Sequence, residues 1–154
     1  DRIKSLWPLM AGGVEQEDNI RKYEEIGTHP AANHNAVSVA IAFTRGIGME
    51  RKIARLRYLR DRWAKQLLAS SDRVKMITEI GPTKSGAIGV VSIDGLDMGK
   101  LGAWLLDQHH IVTTPMVTDE FQGIRITPNV YTTVDEIDTF ADKVLWAIKN
   151  GLPS

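Results

Sequence analysis

Between residues 49 and 70 apolar side chains recur every three or four positions, at Ile53, Leu56, Leu59, Trp63 and Leu67. That period winds one face of a helix toward a core and predicts an amphipathic helix over 49–70. A helical stretch over 31–46 precedes it. His29-Pro30 opens this stretch, since proline in the first turn needs no donor, and Gly46-Ile47-Gly48 separates it from its successor. Residues 97–110 and 134–150 carry the same period, the last stopping at Gly151. Residues 74–79 and 87–94 read as two strands of a hairpin, joined through the turn signals Gly81-Pro82 and Ser85-Gly86. Two further short strands are predicted at 111–114 and 123–127. A short helical turn over 17–24, ended by Gly27, follows a lead-in of mixed Trp7-Pro8, Gly12-Gly13 and acidic residues that shows no period.

The resulting order is two helices followed by ββαββα, without an internal repeat or a low-complexity segment. Hairpin-length links between strands do not suit a doubly wound parallel sheet. The expected fold class is α/β of the α+β type, a small, mostly antiparallel sheet with helices packed on one face to bury their apolar stripes.

Composition narrows the function more than the fold. The 154 residues are 43% hydrophobic and 25% charged, with 19 basic and 19 acidic side chains that cancel. No long-range field recruits nucleic acid or a membrane surface, so function must come from local sites, which favours small molecules. The absence of cysteine excludes disulfides, thiolate metal sites and a cysteine nucleophile. No stretch approaches the roughly 20 apolar residues of a membrane helix. The opening Asp1-Arg2-Ile3-Lys4 has neither an initiator methionine nor a signal-peptide pattern. A parent that continues upstream is therefore expected, with the cytoplasm as its default location.

Two segments could carry chemistry. In Ile26-Gly27-Thr28-His29-Pro30 a Gly-Thr pair stands just ahead of a helix start. Free backbone N–H groups and the helix dipole favour an anion there, and the Thr28 hydroxyl can donate one more hydrogen bond. Thr28 or His29 as a plain helix cap is the alternative, and the one the local pattern alone favours. In Gly123-Ile124-Arg125-Ile126-Thr127-Pro128, strand alternation turns Ile124 and Ile126 to one side and Arg125 to the other. An arginine so placed can hold a carboxylate through two parallel hydrogen bonds. A structural ion pair with Asp119, Glu120 or Asp135 is the alternative.

Together, "YEEIGTHPAANHNAVSVAIAF" and "GIRITPNVYTTVDEIDTF" resemble two stretches of the class V pyridoxal-phosphate-dependent aminotransferases, the group that includes cysteine desulfurases and isopenicillin N epimerase-like proteins. The former is similar to the Glu-x-Gly-Thr stretch that leads into a helix. The latter is similar to the Arg-x-Ser/Thr-x-x-x-Tyr-x-Thr stretch that leads into the last helix, with Thr127 where many members have serine. The resemblance covers nearly the whole chain and implies the C-terminal domain of a fold-type I enzyme. Residues 1–30 would be the tail of the large cofactor-binding domain with its linker, and 31–154 the small domain. It further implies that Arg125 grips the α-carboxylate of an amino-acid substrate. Gly27 and Thr28 would reach the phosphate of pyridoxal 5'-phosphate bound by the partner subunit of a homodimer. Tyr131 and Thr133 would brace the loop beside Arg125.

In this family a lysine joins the cofactor aldehyde as a Schiff base, and the segment that carries it lies upstream of the region matched. None of the nine lysines here sits in a comparable Ser- and His-rich loop. No catalytic residue is therefore assigned, and the chain by itself is expected to be inactive. As a fragment it should expose an apolar surface. The alternative is a non-enzymatic module that keeps the small-domain fold and uses it for protein association.

Other signals point to less. Arg51, Lys52, Arg55, Arg57, Arg60, Arg62 and Lys65 flank the apolar stripe of the second long helix and are expected to form a solvated face paired with acidic neighbours, rather than a nucleic-acid stripe. His29, His34, His109 and His110 lack the spacing of a metal set. Gly81-Pro82-Thr83-Lys84-Ser85-Gly86 lacks the order of a phosphate loop and leads into a strand.

Overall fold

The computed structural model describes residues 2–10, 13–24, 26–81 and 84–153. Asp1, Ala11, Gly12, Glu25, Pro82, Thr83 and Ser154 lie outside the described residues. With them falls part of each turn expected at Gly12-Gly13 and Gly81-Pro82. The chain divides into two compact units, residues 1–46 and 47–154.

In the first unit the lead-in is more ordered than its pattern suggests. It holds a short helix α1 (Arg2–Ser5) and two single turns of 3₁₀ helix, Val14–Gln16 and Ile20–Tyr23. Asn19 caps the second turn by accepting from the Arg21 amide at 3.0 Å. The buried Lys22 ammonium donates to the carbonyls of Ile3 and Glu17, and the Tyr23 hydroxyl donates to the Ile3 carbonyl at 3.0 Å. Two side chains from one turn thus pin α1. Helix α2 (Ala31–Ile47) follows and buries none of its side chains, although Val37, Val39, Ile41 and Phe43 are large and apolar. These four positions wind around the helix instead of forming one stripe. Val37 with Ile41 and Val39 with Phe43 make two exposed i,i+4 apolar rows, beside a polar arc of His34, Asn35, Ser38 and Arg45.

The second unit carries the sheet. Its elements are α3 (Met49–Leu68), β1 (Val74–Met76), β2 (Gly89–Ile93), α4 (Met98–His109), β3 (Thr114–Val117), β4 (Gln122–Ile126) and α5 (Val134–Asn150). The strands form one antiparallel sheet in the order β1-β2-β4-β3. Register puts Val74 opposite Ile93, Val91 opposite Ile124, and Gly89 opposite Ile126. These positions share one face. On it Val74, Val91, Ile93, Ile124 and Ile126 join Leu59, Trp63 and Leu67 of α3, Met98, Leu101 and Leu105 of α4, and Phe140 and Val144 of α5 in a single core. The α+β architecture expected from the pattern is the one observed.

The centre of that core is Trp63, fully buried, whose ring meets Phe140 edge-on at 5.8 Å. Its indole N–H finds no acceptor among the described residues, so Trp63 stabilises through ring burial, worth about 3–5 kcal/mol against alanine. The ring lies against the backbone of β2. A Cβ on Gly89 would sit 2.6 Å from Trp63 Cζ2, so only glycine lets helix and strand approach this closely.

Three expectations are corrected. The strand predicted at 111–114 runs Thr114–Val117. Helix α4 ends with His110 in the left-handed region (φ 56°), and the amides of His110 and Ile111 return to the carbonyls of Leu106 and Leu105. Ile111 is therefore spent on the helix cap. The strand predicted at 74–79 ends at Met76, because the amides of Ile77 and Thr78 both donate to the Val90 carbonyl. Two residues opposing one is a bulge, and it closes the ladder.

The third correction concerns α3, whose basic face is not simply solvated. Arg60 is buried, beside Asp61 at 2.7 Å, and it donates to the Ser85 hydroxyl and the Gly86 carbonyl. Arg57 donates to the Ser85 carbonyl at 3.1 Å. Arg62 makes a two-pronged pair with Asp138 at 2.6 and 2.7 Å, which Gln66 joins at 3.0 Å. These arginines fasten the β1–β2 loop and α5 to α3.

Gly89→Ala should lower stability by about 1–3 kcal/mol, because the new methyl group must displace the Trp63 ring. Urea unfolding followed by tryptophan fluorescence measures it. An unchanged midpoint would show that the ring does not rest on β2.

Candidate functional site

The face of the sheet opposite the core carries Lys75, Val90, Ser92, Thr114, Met116 and Arg125, by the same register. Arg125 stands on it between Val90 of β2 and Thr114 of β3. Ile124 and Ile126 on either side are buried and hold β4 in place, so alternation alone turns Arg125 out to solvent. Gly123, two residues back on the same face, has no side chain. A Cβ there would lie 2.7 Å from Val90 Cγ1, so the valine fills that space and forms an apolar floor beside the arginine.

The guanidinium is largely unspent. Arg125 Nη2 donates to Thr114 Oγ1 at 3.3 Å, and among the described residues no carboxylate pairs with it. The alternative of a structural ion pair with Asp119, Glu120 or Asp135 is thus not realised. An exposed arginine with most of its five donors unused, on the sheet face opposite the helices of its unit, has the chemistry to hold a carboxylate.

The loop after β4 is tied down by threonines. Thr132 Oγ1 accepts from the Asn129 amide at 2.9 Å, the Thr132 amide donates to the Asn129 carbonyl at 3.0 Å, and Arg55 Nη2 donates to the Thr132 carbonyl at 3.1 Å. Thr133 then starts α5 with a reciprocal cap. Its hydroxyl accepts from the Glu136 amide, and the Glu136 carboxylate accepts from the Thr133 amide at 2.7 Å. The Thr133 backbone N–H, then its hydroxyl, hold the Glu136 carboxyl below its ordinary range. Thr133 braces the loop end as expected. Tyr131 does not: it is 78% exposed and its hydroxyl makes no hydrogen bond among the described residues.

Next to this loop is a cleft of about 470 Å³, lined by Thr127, Thr132, Asp135, Phe140 and the segment 109–113. His109 Nε2 and Thr113 Oγ1 are buried there without partners among the described residues. Burial, then the charges of Lys143 and His110, push His109 below its ordinary value, and its ring meets Trp104 edge-on at 4.5 Å. Among the described residues no three His, Asp or Glu side chains gather to hold a metal ion.

Gly27 and Thr28 belong to the first unit and Arg125 to the second. Gly27 takes φ +88°, a conformation that favours glycine, and Thr28 lies just ahead of α2. Among the described residues neither the Thr28 nor the His29 side chain bonds to the first turn of α2, where His34 Nδ1 meets the Pro30 carbonyl at 3.4 Å. The capping alternative therefore has no hydrogen bond to support it. Among the described residues no helix is long and apolar enough to cross a membrane.

Sequence reasoning misses Thr114 and Arg55. The pattern ends a strand at Thr114 that in fact begins there, which hides its position opposite Arg125. Arg55 reads as one more member of the basic face of its helix. Its role depends on a loop 77 residues away, and no local signal reveals that.

No family model and no curated protein matches this sequence. Among solved structures, the chain is similar to the apo structure of a cysteine desulfurase from Thermococcus onnurineus NA1. The TM-score is 0.72 at 18% identity, over 83% of this chain and 34% of that one. At that identity the likeness shows the fold, a small α+β unit of the kind found within that enzyme. The chain spans about a third of the length of the desulfurase.

Thr133→Ala should remove the cap and cost about 1 kcal/mol in urea unfolding. Asp138, held low by Arg62 and then Gln66, and Glu136, held low by Thr133, both favour the folded state when ionised. Their contribution is complete above the ordinary carboxylate values and is lost as pH falls below about 4.5 and through the depressed folded values. The urea midpoint should drop across that window, and less steeply in Asp138→Asn. Equal slopes in the two proteins would show that the Arg62–Asp138 pair carries none of it.

Proposed function

We propose that this chain is the small-domain part of a class V pyridoxal-phosphate-dependent enzyme acting on an amino acid, in which Arg125 grips the substrate α-carboxylate. One observation carries the reading: an arginine fixed on β4 between two buried isoleucines, exposed on the open sheet face and paired with no carboxylate among the described residues. The fold found within a cysteine desulfurase supports it, since cysteine desulfurases belong to the family whose two motifs the sequence resembles. The bare apolar surface of α2 supports it as well, because a fragment should expose what its large domain covered.

In this reading residues 1–30 are the end of the large domain and its linker, and residues 31–154 form the small domain. Gly27 and Thr28 contact the cofactor phosphate of the partner subunit in a homodimer. The Thr28 hydroxyl, with no hydrogen bond to the first turn of α2 among the described residues, fits a phosphate oxygen. Pyridoxal phosphate, when bound, supplies the electron sink for chemistry at the substrate α-carbon. Arg125 contributes orientation, holding the carboxylate so that the bond to be broken stands correctly to the cofactor. Transfer of the amino group is the proposed reaction, and the choice among the family's chemistries rests on residues of the large domain. The parent works in the cytoplasm. The chain alone lacks the cofactor-binding lysine and is inactive.

The second reading, a non-enzymatic association module, draws on the same bare helix α2. The intact gene product separates the two. The enzyme reading expects it to carry bound cofactor and turn over amino acids. Arg125→Gln should raise KM about 100-fold, the worth of a charge-assisted pair, with cofactor absorbance unchanged. The 154-residue chain given pyridoxal phosphate should show no turnover. A colourless, inactive intact product would leave the association module, and turnover by the chain alone would overturn the assignment of chemistry to a large domain.

A further inference from the structure

We propose that Thr114 is a second carboxylate-binding residue, its hydroxyl and the Arg125 guanidinium forming one composite receptor on the open sheet face. The inference rests on the reading of Arg125 given above and extends it to the neighbouring strand. Thr114 and Arg125 are direct cross-strand partners in the β3–β4 ladder, which places their side chains on the same face at about 5 Å between Cβ atoms. Arg125 Nη2 donates to Thr114 Oγ1 at 3.3 Å, and no other side chain among the described residues accepts from this guanidinium.

The chemistry follows from the donor count. A hydroxyl that accepts from Nη2 keeps its own hydrogen, and a guanidinium that spends one N–H keeps about four. A carboxylate seated against the pair receives hydrogen bonds from both Arg125 and the Thr114 hydroxyl. Threonine is stiff at χ1, so its oxygen restrains the guanidinium plane before any ligand arrives and reduces the ordering lost on binding. The surroundings define the ligand class. Val90, directly opposite Arg125 on β2, and Met116, two residues from Thr114 on the same face, are uncharged and apolar. Lys75 lies on the same face two strands away and is engaged by Asp94 at 2.7 Å. The receptor fits one carboxylate on a short uncharged carbon skeleton, the shape of a neutral amino acid's α-carboxyl end.

The test is a titration of the ¹⁵N-labelled 154-residue chain with propionate at constant ionic strength, with propionamide as the uncharged control. The readout is the Arg125 Nε–Hε resonance where Arg125 is present and, in every variant, the backbone amide resonances of positions 90, 114 and 125. Wild type should shift with propionate and not with propionamide. Thr114→Val keeps the shape and strand preference of threonine and should weaken binding about five- to tenfold, the worth of one hydrogen bond. Thr114→Ser should restore it, and Arg125→Gln should abolish it. In the absence of ligand, Arg125 Hε should exchange faster with water in Thr114→Val than in wild type. If Thr114→Val disturbs the fold, Thr114→Ala at this exposed edge position should show the same weakening. Wild-type affinity and exchange in the folded valine or alanine variant, with Arg125→Gln inactive in binding, would overturn the role of Thr114 and leave that of Arg125 standing. No propionate-specific shift in wild type, or an unaltered titration in Arg125→Gln, would overturn both.

Discussion

The approach of Trp63 to Gly89 is the constraint on which the second unit depends. A fully buried indole rests against β2 where no side chain could stand, and meets Phe140 of α5 on its edge. One contact thereby joins the long helix, a central strand and the last helix. It also fixes which face of the sheet is inside. Given that β2 turns Val91 and Ile93 to the helices, the antiparallel register sends Ile124 and Ile126 inward and Arg125 outward. A slip of one residue would bury the guanidinium among apolar side chains and expose two isoleucines, a combination that costs far more than a domain's net stability.

The arginines of this molecule show what that placement means. Arg55, Arg57, Arg60 and Arg62 on α3 each spend donors on a carbonyl, a hydroxyl or a carboxylate of another segment, and they serve to hold loops and helices together. Among the described residues Arg125 has one side-chain partner, a hydroxyl opposite it in the ladder. The difference comes from the element each occupies. A helix face set against loops offers carbonyls within reach, whereas the outer face of a sheet offers only the neighbouring strands. A cation maintained there by flanking core residues is available to a ligand, and the two apolar rows of α2 are exposed.

Much of this is legible in the sequence because two periods are hard to mistake. The 3.6-residue stripe from Ile53 to Leu67 announces α3, and Thr133 followed by Glu136 marks the start of α5. Alternation around Arg125 correctly sends it to the face opposite Ile124 and Ile126. Element ends are less legible where hydrogen bonds outside the pattern decide them: the left-handed His110 consumes Ile111 in a helix cap, and the bulge opposite Val90 stops β1 at Met76. The partners of long side chains are least legible. Arg60 reads as one more solvated charge, and only the fold brings Ser85 and Gly86 over it. Thr114 is recognisable as a neighbour of Arg125 only when the register of β3 is known.

The central claim is that the open sheet face presents Arg125 to a substrate carboxylate. A crystal structure of the chain grown with a saturating neutral amino acid tests it most directly. The account predicts the α-carboxylate on the open face, within hydrogen-bonding distance of the Arg125 guanidinium, with the ligand's carbon skeleton over Val90. Arg125 engaged instead by a carboxylate of its own chain, with the amino acid bound elsewhere or absent, would contradict it.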